Sequence, residues 1–517
     1  MATGKGNVLF ITLDQWRGDS LSALGHALVE TPTLDALAAR GVLFANHWAN
    51  TAPCGPSRAT LYTGMYLQNH RSALNGTPLD ARFTNVALEA RKIGYDPVLF
   101  GYTDTSVDPR TVPADDPRLR TYEGVLAGFN AMVSDPYDQG PSEWAKWLAA
   151  RGKDVPPDPH RLYDPDLSYP GAADHPPAWA PGHFGADETE TAFITEKLIE
   201  YFEQHADEPF FVHASFVRPH PPYRNPPGYH DLYSLEDVPP FIAHPTREAE
   251  RAMHPLNDAL LMIPPLKAPD DFDERRQMRA TYHGMQREVD DQLGRLFGWL
   301  GENRLLDDTL VVLTSDHGEM GGDHWCFEKA GYWDESYRIP LIVADPREQA
   351  DATRGLVVQD ITESVDVLPT ILDWIGCEIP NQVDGWPLTP WIANGTRPEH
   401  WRTEAHFEWD FRHPVTKLAE GFLGVPSAHC SLNVVRSNRY KYVQFAAESD
   451  VLPPLLFDLE TDPDQLTDLS GSPEYRDAAW ECAQQLLRWR MRNDERMLTN
   501  HILDPYRGLV VAEDTWR

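Results

Sequence analysis

The amino-acid sequence predicts an α/β protein: a large mixed, mostly parallel sheet flanked by helices, followed by a smaller C-terminal α+β subdomain. Three observations carry that expectation. Short apolar runs alternate with helical periodicities, the pattern of a largely parallel sheet. Four of those runs stop at Asp14, Tyr102, His220 and Asp316-His317, and in open α/β sheets a ligand lies just beyond the carboxyl ends of the strands. After about Asn394 the pattern changes to short strands and a helix. This places the expected division between residues 1–394 and 395–517.

The elements follow in chain order. Asn7-Val-Leu-Phe-Ile-Thr-Leu13 reads as the first strand and ends at Asp14. A helix is expected next, with Thr31 as N-cap, Pro32 at its first position, Leu34, Leu37 and Ala38 on its apolar face, and Gly41 closing it. Pro97-Val-Leu-Phe100 is a second strand. Residues 187–205 carry Phe193, Ile194, Leu198, Ile199 and Phe202 at helical spacing. A strand over 210–217, a long helix over 275–300, a strand over 309–314 and a fifth strand over 340–344 complete the large sheet. The proline-rich stretches 155–181 and 219–245 read as ordered loops, the second directly following His220. In the C-terminal part, Leu432-Asn-Val-Val435, residues 440–445 and residues 455–459 read as a small antiparallel sheet, followed by a helix over 474–492.

Composition narrows the function. The 517 residues carry 45 Lys+Arg against 79 Asp+Glu, a net charge of −34. A nucleic-acid binder needs a basic stripe to displace counterions, and a membrane-surface protein needs a polybasic patch, so neither class fits. Five cysteines without tight spacing form neither a disulfide framework nor a zinc ribbon. No apolar run approaches the length of a membrane span, and the N-terminus runs into the first strand without a signal-peptide pattern. The expectation is a soluble, cytoplasmic protein of a reducing compartment.

Chemistry concentrates in Cys54-Gly-Pro-Ser-Arg58-Ala-Thr-Leu-Tyr-Thr-Gly64. Here a nucleophile-sized side chain sits at a Gly-Pro turn that opens a helix, where free N–H groups and the dipole favour anions. Arg58, one turn in, offers a fork suited to a tetrahedral oxyanion. A cysteine in this place has either a lowered thiol pKa or a buried structural role.

The segment resembles the modification signature of the sulfatases, Cys-x-Pro-Ser/Ala-Arg, of the alkaline phosphatase superfamily. Further motifs agree in order: Asp14-Gln15-Trp-Arg with the first metal motif, residues 31–41 with the helix before the nucleophile, Ser315-Asp-His-Gly-Glu319 with the second metal motif, and residues 456–463 with the C-terminal signature. Within the superfamily the chain looks most like phosphonate monoester hydrolases. Gln15 stands where many sulfatases carry a second Asp. Asn69-His-Arg, Asn75-Gly-Thr-Pro-Leu-Asp80, Gly101-Tyr102-Thr-Asp-Thr and Asp108-Pro-Arg110 also resemble that subfamily. Asp104 departs from it, because Thr is expected there, and a carboxylate so near an anionic substrate would repel it.

The resemblance implies an alkaline phosphatase-like fold and conversion of Cys54 to formylglycine by a formylglycine-generating enzyme. Its hydrated gem-diol would be the nucleophile. It also implies metal ligation by Asp14, Gln15, Asp316, His317 and the modified Cys54. An oxygen-rich set with one imidazole suits one divalent ion, Mn²⁺ or Ca²⁺, better than zinc. No Asp-x-x-x-His occurs that would supply a second, zinc-type site. Arg58, Asn75, Tyr102 and Lys329 (twelve residues after His317) are expected to stabilise charge on the substrate, and Arg218-Pro-His220 supplies the His that protonates the leaving oxygen. His324 and Cys326 are expected to be structural. The function expected is hydrolysis of phosphonate monoesters and phosphodiesters, with promiscuous sulfate ester hydrolysis. The alternative is a dedicated arylsulfatase. A fold-retaining protein without catalysis would show broken ligands, and none is broken here. The partners expected are a small anionic ester and further copies of the chain, in a homotetramer.

Overall fold

The run Asn7–Leu13 forms β1, buried along its whole length. Alternate side chains leave opposite faces of a strand. Leu9, Ile11 and Leu13 therefore enter one core and Val8 and Phe10 the other. This double burial explains why the run is continuously apolar rather than alternating. The structure, a computed structural model, describes residues 6–134 and 142–512. The extreme N-terminal residues 1–5, part of the leader expectation, lie outside the described residues.

The remaining strands of the main sheet are β2 (Val42–Phe44), β3 (Val98–Gly101), β4 (Asn130–Ser134), β5 (Phe211–Phe216), β6 (Thr309–Thr314), β7 (Leu341–Ala344) and β8 (Leu356–Val358). Their spatial order is β8-β2-β7-β6-β1-β5-β3-β4. All neighbours pair in parallel except at β7, which runs against both β2 and β6. The large mixed, mostly parallel sheet expected from the sequence is thus present.

Helices cover both faces. On one side lie α1 (Pro32–Arg40), α3 (Glu190–His205) and α4 (Phe272–Glu302), contributing Leu34, Phe193, Leu198, Leu293 and Leu296 to the core. On the other lie α2 (Cys54–Thr63) and α5 (Val367–Trp374), with Leu61, Tyr62, Leu368 and Ile371. The cap of α1 differs from the expectation. Thr31 makes no side-chain cap bond; its hydroxyl accepts from Ser22 N at 3.0 Å. The open N–H groups of Thr33 and Leu34 donate instead to the Asp290 carboxylate of α4, at 2.9 Å each. A charged acceptor on the packed neighbour has displaced the local hydroxyl.

The C-terminal part carries an antiparallel sheet, β9 (Glu404–Asp410), β10 (Ser431–Ser437), β11 (Tyr440–Phe445) and β12 (Leu455–Asp458), with α6 (Arg476–Arg492) packed on it through Cys482, Leu486 and Trp489. A hairpin of β13 (His501–Asp504) and β14 (Gly508–Val511) follows, exposing Leu503, Tyr506 and Leu509. No helix among the described residues is long and apolar enough to cross a membrane.

Gly101 closes β3 at φ +103°, and a Cβ there would lie 2.0 Å from the Ser215 carbonyl oxygen of β5. Gly152 has a comparable φ of +81° but open space around it. Gly152→Ala should therefore lose only the backbone preference, about 1 kcal/mol. Gly101→Ala should lose roughly 1–3 kcal/mol beyond that, as strain between β3 and β5. Urea unfolding midpoints of the two variants check the difference.

Candidate active site

The carboxyl ends of β1 and β6 and the N-terminus of α2 meet at one point. Asp14, Asp316, His317 and Cys54 each offer a ligand atom there, all within 4.8 Å of one another and all buried. β1 delivers Asp14 because the chain leaves the sheet immediately after it: Gln15 has φ +67°, its N–H donates to Asp316 Oδ1 at 3.1 Å, and the Trp16 N–H donates to Ser315 Oγ at 2.9 Å. Helix α2 is buried at every position, so its first residue is held as rigidly as the sheet.

Arg58 ties this cluster together. Its Nε donates to Asp316 Oδ2 at 2.9 Å and its Nη2 to Asp14 Oδ2 at 3.1 Å. Nη1 donates to Ser215 Oγ at 2.8 Å, and the guanidinium stacks on the Tyr102 ring at 4.2 Å. The Tyr102 hydroxyl donates to Asp14 Oδ2. The fork expected to face a substrate is thus turned into the carboxylate layer, and the Tyr102 phenol with it. Arg58 thus touches both Asp14 and Asp316, and Tyr102 touches Asp14.

The electrostatics follow. Burial alone would push the Asp14 carboxyl up, but His220, Arg58, His317 and Lys329 outweigh it and hold the group well below the usual carboxylate range. Burial pushes the Cys54 thiol well above its ordinary value, with Asp14 adding to the shift against the opposing pull of Lys329. The lowered thiol pKa that a helix N-terminus favours is therefore not realised: two carboxylates face the sulfur, and the Gly55 N–H is taken by Asn75 Oδ1 at 2.9 Å. That bond turns the Asn75 amide nitrogen away from the helix.

The cluster fits a divalent cation. Asp14 Oδ1 is a buried carboxylate oxygen with no hydrogen-bond partner among the described residues. His317 Nδ1 lies 3.0 Å from the Gly318 carbonyl, which places the proton on Nδ1 and leaves the Nε2 lone pair toward Cys54 Sγ at 3.2 Å. Burial lowers the His317 pKa, keeping the ring neutral as a ligand must be. Gln15 is oriented from both ends. Its Nε2 donates to Glu319, and its Oε1 accepts from Lys329 Nζ at 2.7 Å, leaving the second carbonyl lone pair for an ion.

Lys329 is nine-tenths buried, and Cys54, Glu328, Asp14 and Asp316 outweigh its burial to raise its pKa, so it is a firm cation beside the cluster. His220 Nδ1 donates to the Pro221 carbonyl, 2.7 Å away, and burial with Lys329 lowers its pKa. Asp104 lies buried at φ +49°. Burial raises its carboxyl pKa well above the usual range, with Glu123 adding to the shift. The shift favours the protonated form and so weakens the repulsion expected of a carboxylate at this position.

Glu319, for which no role follows from the sequence, holds the Gln15 side chain. It accepts from Gln15, from Tyr223 OH at 2.9 Å and from the Gly321 N–H at 2.6 Å. Burial and Glu328 push its carboxyl up to about 7. Its place in Ser315-Asp-His-Gly-Glu319 was the available signal. His324 and Cys326 stand apart: the imidazole pairs with Glu250 at 3.0 Å and stacks on Trp333, and the thiol is buried.

Comparisons with known proteins agree with this geometry. The sulfatase family model matches residues 6–377, and the one described as N-sulphoglucosamine sulphohydrolase, C-terminal, matches residues 322–492. The chain is 40% identical to the multifunctional alkaline phosphatase superfamily protein PehA of Trinickia caryophylli, over 96% of this chain and 98% of that one. It is 28% identical to an arylsulfatase of Clostridium perfringens over 92% of each. Among solved structures, the phosphonate monoester hydrolase of Agrobacterium radiobacter superposes with a TM-score of 0.92 at 42% identity, covering 98% of this chain and 100% of the other.

Removing Arg58 leaves two buried carboxylates facing each other. Arg58→Met should lose about 3–5 kcal/mol of stability in the presence of a chelator, the usual effect of breaking a buried ion pair. Added Mn²⁺ should restore part of that loss by supplying positive charge at the same carboxylates. Denaturant titrations with and without the ion check both outcomes.

Proposed function

Because this chain belongs to the sulfatase family and is an ester hydrolase, we propose that it hydrolyses phosphonate monoesters and phosphodiesters, with sulfate esters as promiscuous substrates. The observation that carries this reading is Cys54, the first residue of the sulfatase signature, lying within 4.8 Å of Asp14, Asp316 and His317 at the ends of β1 and β6. The likeness to phosphonate monoester hydrolases along the whole chain supports the substrate class.

In this reading Cys54 is matured to formylglycine by a formylglycine-generating enzyme. Asp14, Gln15, Asp316, His317 and the modified Cys54 would hold one divalent ion, Mn²⁺ or Ca²⁺, which supplies Lewis-acid polarisation and fixed positive charge when bound. One hydroxyl of the hydrated aldehyde releases its proton to solvent and its oxygen attacks phosphorus or sulfur, while the bond to the leaving oxygen breaks. His220 gives that oxygen its proton. The second hydroxyl then gives its proton to His220, now the base, as the C–O bond breaks; the transferred group leaves with that oxygen, and the aldehyde is restored and rehydrated by water. Lys329 and the Asn75 amide nitrogen stabilise the nonbridging oxygens as charge develops. Arg58 and Tyr102 act one layer back, keeping Asp14 and Asp316 in place.

Five buried, unpaired thiols support a reducing, cytoplasmic setting. The exposed Leu503, Tyr506 and Leu509 of the C-terminal hairpin support self-association, read here as a homotetramer. A catalytic domain over 1–394 and a subdomain over 395–517 remain the division proposed.

Cys54→Ala should abolish turnover while leaving the fold intact. The ratio of kcat/KM on matched phosphonate and sulfate monoesters tests the substrate class: it should favour phosphonate, and a ratio favouring sulfate identifies a dedicated arylsulfatase. His220→Ala should slow hydrolysis of esters with alkyl leaving groups by about 10²–10⁴-fold, and nitrophenyl esters much less, because only a poor leaving group needs the proton.

A further inference from the structure

A second cationic cavity lies at the other end of the nucleophile helix. Its volume is about 650 Å³, and four arginines, Arg402, Arg488, Arg492 and Arg496, line it against two acids, Asp384 and Glu404. In a chain of net charge −34 such a reversal of sign is local and specific. Tyr66, just beyond the end of α2, belongs to the same lining. The ten residues of α2 at 1.5 Å rise put it ~15 Å from Cys54. None of the clustered residues Asp14, Cys54, Asp316 and His317 lines it.

The arginines differ in what they already hold. Arg402 is taken by Asp366 and Glu363. Among the described residues Arg488 reaches only Glu481, at 3.0 Å, and both side chains are more than half exposed, so that pair contributes little. Arg492 lies one turn further along the same face of α6. It donates only to the Arg488 carbonyl, at 3.3 Å, and makes no ion pair among the described residues. Arg496, at the next such interval, is buried. Its Nη2 donates to the Val383 carbonyl at 2.6 Å and its Nη1 lies 3.4 Å from the Asp384 carboxylate, while its Nε has no partner among the described residues. His406, also in the lining and buried, leaves its Nε2 unpartnered. Asp384, the acid beside Arg496, is pushed up to about 7 by burial, so it opposes an anion only partly near neutrality.

Under-used guanidinium donors converging on a polar cavity make a site for a tetrahedral oxyanion, which can accept several charge-assisted hydrogen bonds at once. We propose that this cavity is an anion-binding site, separate from the catalytic cluster, that takes a phosphate group on Arg488, Arg492 and Arg496. The exposed face of α6 makes its two outer arginines replaceable without disturbing the core.

Equilibrium dialysis of the full chain against radiolabelled inorganic phosphate tests this. The wild type should bind phosphate at this cavity. Arg488→Ala/Arg492→Ala should weaken that binding about tenfold or more, as loss of two charge-assisted contacts implies. Turnover of a phosphonate ester and the thermal midpoint should be unchanged. Lys329→Ala, at the catalytic cluster, should leave the cavity's phosphate in place. Wild-type affinity and stoichiometry in the double arginine variant, or no binding to the wild type at millimolar phosphate, would overturn the proposal.

Discussion

The buried array Asp14–Arg58–Asp316 is the constraint on which the rest of the molecule depends. Each ion taken out of water carries a penalty of several kcal/mol, and it is tolerated only with close pairing and saturated hydrogen bonds. A fully buried leucine or phenylalanine contributes roughly 1.5–3 kcal/mol in the opposite direction. Only a sheet covered on both faces supplies enough such side chains around one point, and β1, with five of its apolar residues shared between two cores, is the strand that does so. Arginine suits the place because one planar fork reaches Asp316 through Nε and Asp14 through Nη2. A lysine would offer a single point charge.

In the proposed reaction, with Arg58 bonded to the carboxylates, capture of an anionic ester would fall to groups nearer the opening. The net charge of −34 repels anions at long range, but salt screens that field beyond ~10 Å. Inside that distance the surrounding acids favour the charged form of Lys329, and burial favours the protonated form of Asp104. The thiol of Cys54, by contrast, is held protonated by its surroundings.

Much of this was legible in the sequence, for identifiable reasons. β1 and β6 were delimited to the residue because an apolar run buried on both faces ends sharply at a polar one. Asp14, Cys54, Asp316 and His317 could be named because each sits at such a boundary or in a dense motif. The antiparallel direction of β7 was not legible, since strand patterning carries no sign of direction. Nor was β9, whose His406, Glu408 and Asp410 are polar yet buried against other polar groups. The contacts of Arg58 and Tyr102 with the carboxylates were hidden for a related reason. A motif fixes which residue is present, whereas hydrogen-bond saturation decides what it faces. Asp290 capping α1 is a contact between helices far apart in sequence, which no local cap signal encodes.

The central claim is that Cys54 works as formylglycine. The most direct measurement is the mass of the Cys54-containing peptide from protein whose specific activity has been determined. The account expects a peptide lighter by about 18 Da than the thiol form, in proportion to activity; ordinary thiol oxidation adds mass instead. Full activity in protein carrying only the unmodified thiol would contradict it.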